Sequence, residues 1–174
     1  MYSCNSSMAE NSAFYNADGD FLIVPQSGDL HITTEMGKLK VSPKEIVVIP
    51  RGIRFRVDVD GDCRGYICEI FKSHFVLPEL GVIGSNGLAN ARDFEIPVAW
   101  YEDKDCKFTV ITKYMSKFFS CDYKHSVFNC VAWWGNYVPF KYNLDKYNTI
   151  GTISYDHPDP SIFTVLTAPT DEPG

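Results

Sequence analysis

The sequence predicts an all-β fold, and three observations predict it. Aromatic and β-branched residues come in short runs cut by Gly, Pro, Asn and Asp. Arg54-Phe-Arg-Val-Asp-Val59 alternates polar with apolar residues, the period of a half-buried antiparallel strand. No window sustains the 3.6-residue apolar repeat of an amphipathic helix. A β-sandwich or jelly roll follows, and 174 residues suit a single domain over 1–174.

Strands are expected near Phe21–Val24, Leu30–Thr34, Leu39–Val41, Glu45–Ile49 and Arg54–Val59. The series continues with Gly65–Phe71, Lys107–Tyr114, Asn129–Trp133, Thr149–Tyr155 and Ile162–Thr167. Ile46-Val-Val-Ile49 is continuously apolar and reads as buried on both faces. Tyr114, Met115, Phe118 and Phe119 fit a short helix, and Tyr142–Tyr147 fits another. Between Val76 and Asp105 the pattern breaks into Leu77-Pro-Glu-Leu-Gly, Gly84-Ser-Asn-Gly and Ala91-Arg-Asp. That stretch still carries Phe94, Ile96, Val98, Trp100 and Tyr101, so it is expected to pack against the body or another subunit.

Sixteen basic residues stand against 22 acidic ones, a net charge of −6, which argues against a nucleic-acid footprint. The longest apolar runs are too short to span a bilayer, and Met1–Phe14 has no signal-peptide pattern. Six cysteines at 4, 63, 68, 106, 121 and 130 include no C-x-x-C pair and mostly fall in apolar segments. Buried, reduced thiols are expected.

Phe21 to Val57 has the rhythm of a cupin core. Gly28 takes the place of the glycine that ends the first cupin motif, and Pro50-Arg-Gly52 resembles the Pro-x-Gly of the second. Counting from these glycines puts Phe14 and Asn16 where a cupin has its histidine pair. The same count puts Phe21 at the glutamate and Phe55 at the last histidine. Three aromatics and an amide do not make a transition-metal ligand set, so the expected barrel is degenerate and metal-free.

Four histidines remain, at 31, 74, 125 and 157. His31 and Glu35 lie about 13 Å apart along a strand and cannot share an ion. His74 and His125 have no acidic or thiol partner at useful spacing and are expected at the surface. His157 sits in Tyr155-Asp-His-Pro-Asp-Pro-Ser161, where two prolines force extended backbone on the residues before them. Two readings stand: a general base among carboxylates, or an exposed histidine on a rigid turn. A triad from Asp156, His157 and Ser161 is disfavoured, because all three share one short segment with no nucleophile elbow.

Several longer strings together resemble the homogentisate 1,2-dioxygenase family. They are the segment starting Phe14-Tyr-Asn-Ala-Asp-Gly-Asp-Phe, Ile49-Pro-Arg-Gly-Ile-Arg-Phe, Gly87-Leu-Ala-Asn-Ala-Arg-Asp-Phe and Ile96-Pro-Val-Ala-Trp-Tyr-Glu-Asp. Lys141-Tyr-Asn-Leu and Asp156-His-Pro-Asp-Pro-Ser-Ile-Phe-Thr-Val-Leu-Thr belong to the same set. The resemblance implies ring opening of homogentisate by O2 to maleylacetoacetate, in tyrosine and phenylalanine breakdown. It also implies one non-haem Fe(II), a cytosolic enzyme, and a hexamer built as a dimer of trimers. It makes His157 the proton acceptor for the substrate phenol. It implies too that this chain is less than half of a full-length member, a partial N-terminal β domain. The two histidines and one glutamate that hold iron would lie beyond Gly174, so the chain alone is expected to bind no iron. Trp134 departs from the family, which often has a histidine there. The rival reading is a catalytically inactive, truncated cupin-like module with only a structural or assembly role.

Overall fold

The computed structural model describes residues 2–78, 89–147 and 164–171. Eleven strands run through them: β1 (Tyr2–Cys4), β2 (Ser12–Asn16), β3 (Asp20–Ser27), β4 (Leu30–Thr34), β5 (Gly37–Val41), β6 (Glu45–Ile49), β7 (Phe55–Asp58), β8 (Cys63–Ile70), β9 (Asp105–Tyr114), β10 (Lys117–His125) and β11 (Phe140–Asn143). They form two sheets, one ordered β1-β8-β3-β6-β11 and the other β10-β9-β2-β7-β4-β5. The expected cupin-like β-sandwich is what the chain builds, and among the described residues the sheets do not close into a barrel.

Pairing is antiparallel except where β2 lies parallel to β9, with Phe14 beside Ile111. The main core sits between the sheets and gathers Ile23, Leu30, Ile32, Val41, Val47, Ile49 and Phe55. A second cluster of Ala13, Phe108, Val110, Val127 and Phe128 covers the far side of β2 and β9. β6 is central in its sheet, and Val47, Val48 and Ile49 are all buried, so both of its faces are covered. Gly28 turns the chain between β3 and β4 at φ +79°, where a Cβ would press on Cys63. Only glycine suits both that backbone and that approach.

The chain departs from the sequence reading in four places. Tyr114–Phe119 is a tight hairpin, not a helix: Met115 and Ser116 have φ of 49° and 59°. Two left-handed residues between paired strands make a type I′ turn. Neither residue is glycine, and the Asp18 carboxylate steadies the turn by accepting from both amides, at 2.6 and 2.9 Å. The Tyr142–Tyr147 helix shrinks to a 3-10 turn at Leu144–Lys146, capped by the Asn143 side chain, because β11 runs to Asn143. Asn129–Trp133 forms no strand and joins no ladder. The thiols are not uniformly buried: Cys63 is buried, Cys68, Cys106 and Cys130 are half-buried, and Cys121 is exposed.

The expected strand Thr149–Tyr155 lies outside the described residues. Of Ile162–Thr167 only 164–167 is described, and Thr167 makes a single antiparallel bridge to Val76. The segment after Ala91 packs on the body as expected. Val98 bridges Lys38 and Glu95 bridges Lys141. Phe94 meets Phe140 edge-on and Tyr142 at a tilt, and the Lys38 ammonium sits 3.9 Å over the Trp100 ring.

Candidate functional site

The three phenylalanines that align with a cupin ligand set meet in space. Phe14 stacks on Phe21 at 6.1 Å between ring centroids and meets Phe55 edge-on at 5.7 Å. Asn16, two residues along the same face of β2, donates through Nδ2 to Glu69 Oε1 at 2.5 Å. An apolar cavity of about 250 Å³ adjoins Phe21 and Phe55, lined also by Ile23, Val57, Cys63 and Ile67. Where a cupin would present imidazoles and a carboxylate, this sandwich presents phenyl rings. These residues do not fit an iron ion. Among the described residues, no group of three or more His, Cys, Asp or Glu side chains could hold a metal.

One end of the sandwich carries the polar chemistry. Lys113 on β9 reaches Asp18 at 2.9 Å and Glu69 at 2.6 Å, and all three side chains are at most one-fifth exposed. Burial alone would lower the Lys113 pKa, but the Glu69 and Asp18 carboxylates outweigh it and raise it above the ordinary value. The Asp18 carboxyl is held low first by the Ser116 amide and then by Lys113.

Beside this cluster, Asp20 is 1% exposed. It accepts from the Arg51 amide at 2.8 Å, from the Phe75 amide at 3.2 Å and from His74 Nδ1 at 3.0 Å. His74 meets Tyr137 edge-on, and the Tyr137 hydroxyl donates to the Arg51 carbonyl at 2.7 Å. One carboxylate thus ties β3, the Pro50–Gly52 turn and the segment after β8 into one unit.

His74 is exposed and His125 half-buried, in keeping with a surface position, but the expectation that neither has an acidic partner needs correcting, since each meets a carboxylate distant in sequence. His74 pairs with Asp20, 54 residues away. His125 Nε2 lies 2.9 Å from Asp103, and its Nδ1 lies 2.8 Å from the Ser126 carbonyl. The Asp103 carboxylate first, and the Ser126 carbonyl second, raise the His125 pKa above 6.5. His31 is partly exposed on β4 and pairs with Asp60 at 3.0 Å. Each of the three therefore orients a single imidazole. His157, the sequence's candidate base, lies outside the described residues. Asp18, Asp20, Glu69 and Lys113 escaped the sequence reading because their partners come from separate strands. Only the paired aspartates around Gly19 gave a local signal, that of a turn. Trp133 donates through Nε1 to the Met36 carbonyl at 2.7 Å, whereas Trp134 is fully exposed.

Comparison with known proteins decides the family. Residues 1–144 match the family model for the homogentisate 1,2-dioxygenase N-terminal region, and residues 145–174 match the model for its C-terminal region. The chain belongs to the homogentisate 1,2-dioxygenase family. It is 63% identical over 171 residues to the homogentisate 1,2-dioxygenase of Drosophila melanogaster, which covers 98% of the chain and 39% of that relative. The Caenorhabditis elegans enzyme is 62% identical over 97% of the chain and 38% of its own length. The human enzyme is 57% identical over the whole chain and 39% of its own length. The chain therefore spans about two-fifths of the curated relatives it matches. Among the described residues, no helix is long and apolar enough to cross a membrane.

Proposed function

We propose that this chain is a portion of a homogentisate 1,2-dioxygenase, which opens the homogentisate ring with O2 to give maleylacetoacetate. The observation that carries this reading is identity of 57–63% to enzymes of that name over nearly every residue of the chain. In the same reading residues 1–174 are one unit of a longer cytosolic polypeptide that assembles as a dimer of trimers. Fe(II) supplies the oxygen-activating centre of the whole enzyme, and the residues described here do not hold it. The phenyl cluster of Phe14, Phe21 and Phe55 supports assigning that centre elsewhere.

The role proposed for His157 is proton acceptor from the substrate phenol. Its support is the match of Asp156-His-Pro-Asp-Pro to the family and the backbone restriction imposed by Pro158. A base of near-neutral pKa within reach of the phenol suits that step.

The test replaces the matching segment of the Drosophila melanogaster relative with this chain. The chimera should consume O2 with homogentisate and Fe(II), and the 174-residue chain alone should not. His157→Ala in the chimera should keep its iron and lose about 10²–10⁴-fold in kcat. Lost iron would show that His157 has a different role. Full turnover in that variant would make it part of a turn, and turnover by the isolated chain would overturn the reading of this portion.

A further inference from the structure

An exposed strand edge invites pairing, and this sandwich covers most of its edges. The 94–98 segment bridges Lys38 on β5 and Lys141 on β11, the outermost strands at one end of each sheet. β1 closes the far end of the first sheet with three residues. The remaining edge, β10, is nine residues long and has no ladder on its outer side among the described residues. Its apolar side chains are uncovered on both faces: Phe118 is 70% exposed, Phe119 53% and Tyr123 41%.

β10 has guards only at its ends. Lys117 and Lys124 flank it, and a register irregularity between Tyr123 and His125 breaks its far end. The window Phe118–Tyr123 has neither lysine nor proline. Tyr114 pairs with Lys117 across the two-residue turn, so odd-numbered residues from Lys117 to Tyr123 bond inward to β9. The amides and carbonyls of Phe118, Ser120 and Asp122 therefore point outward.

We infer that β10 is a self-recognition edge: it pairs antiparallel with β10 of a second copy of this chain, about a two-fold axis at Cys121. Three registers put the two-fold axis within one residue of the middle of the strand. Centring on Asp122 opposes two carboxylates, and centring on Ser120 sets each Phe118 against the second copy's Asp122. Centring on Cys121 sets Ser120 against the second copy's Asp122, a hydroxyl donor facing a carboxylate, twice over. It also sets Phe119 against the second copy's Tyr123, twice, as a cross-strand aromatic pair. Self-complementarity of this kind is what an isologous two-fold contact requires.

In that register the two Cys121 residues form a non-hydrogen-bonded pair, with Cα atoms about 4.5 Å apart. That spacing is within the range a disulfide spans. The Cys121 thiol is exposed, so it reports the register directly.

The test uses the 174-residue chain with Cys4→Ser as background. Sedimentation at micromolar concentration should give a discrete species of twice 19.7 kDa. Diamide should link the two copies through Cys121, taking up the two electrons and two protons that the thiols release. Cys121→Ser should abolish the link and leave the dimer intact. Phe119→Lys should weaken the dimer about 30-fold or more while leaving the circular dichroism of the sandwich unchanged. A monomer would overturn the proposal and assign this edge to other parts of the longer family polypeptide. Open-ended association would overturn it too, as would a dimer indifferent to Phe119→Lys or one that diamide does not link at Cys121.

Discussion

Replacing Asp20 with alanine should be the most damaging single change at the polar end of the sandwich. Its carboxylate is 1% exposed and accepts from two backbone amides and one imidazole. Alanine removes both acceptor oxygens that serve these three donors and leaves the Arg51 and Phe75 amides without that partner. Each abandoned donor costs about 1–3 kcal/mol when water cannot replace the bond, and hydrogen bonds to a charged group lie in the upper part of the usual range. Two part-buried amides together give a loss of about 3–4 kcal/mol, with the exposed side of His74 adding little. For a chain of this size that corresponds to a fall in Tm of about 6–16 °C. Asp20→Asn should lose less, because its oxygen serves one amide while its NH2 faces the other donor. His74→Gln should lose least of the three. Urea unfolding followed by tryptophan fluorescence gives the ordering, and hydrogen exchange should show the Phe75 and Val76 amides deprotected before those of β6. If Asp20→Ala falls within 1 kcal/mol of the parent chain, the carboxylate does not clamp these segments and the reasoning fails.

The His125–Asp103 contact carries a pH signature. The folded pKa of His125 is raised, so its stabilisation is full below about pH 6.5 and disappears as pH rises through that higher value. The stability difference between the parent chain and His125→Gln should accordingly shrink from pH 6 to pH 9, read by urea unfolding at each pH; a growing difference would reverse the assignment. Phe55 is 6% exposed inside the phenyl cluster, so Phe55→Ala should cost about 3–5 kcal/mol in the same assay. Phe55→His, which restores the cupin residue type, should show no Fe(II) binding by calorimetry, because the ring it meets edge-on, Phe14, is a phenyl group and no ligand.

Strand existence was legible where period and composition agreed. β4 and β6 have the predicted limits, because Leu30–Thr34 and Glu45–Ile49 are bounded by turn residues and rich in β-branched side chains. β10 was not legible. Phe118 and Phe119 look like a helical face only while the turn before them is invisible, and that turn depends on Asp18, almost 100 residues earlier. β2 and β11 were missed for a related reason. Each is four or five residues long and takes its place from long-range pairing, β2 in parallel with β9 and β11 against β6. Of the positions that the cupin count picks out, Phe14, Phe21 and Phe55 meet at one centre, while Asn16 is turned toward Glu69. The Asp20–His74 pair was beyond reach because no local spacing joins residues 54 positions apart.

Phenyl rings at those ligand positions change what the sandwich is for. A metal site needs buried polar ligands, each oriented by a further hydrogen bond, and such a network destabilises the core when it is incomplete. Phe14, Phe21 and Phe55 have no such requirement, and the two sheets meet over an apolar centre. The polar groups are displaced to the end of the sandwich, where Asp18 and Asp20 hold backbone amides from other segments. One of those segments is Phe75–Val76, and Val76 bridges Thr167 at 2.8 and 2.9 Å. Residues 164–171 fall in the part of the chain that matches the C-terminal family model, while Asp20 and Val76 fall in the N-terminal match. The buried carboxylate Asp20 thus holds the Phe75 amide beside Val76, the residue that bridges Thr167. That places a contact between the two matched regions, among the described residues, two residues from His74, and makes the Asp20 variants a probe of that contact as well as of the fold.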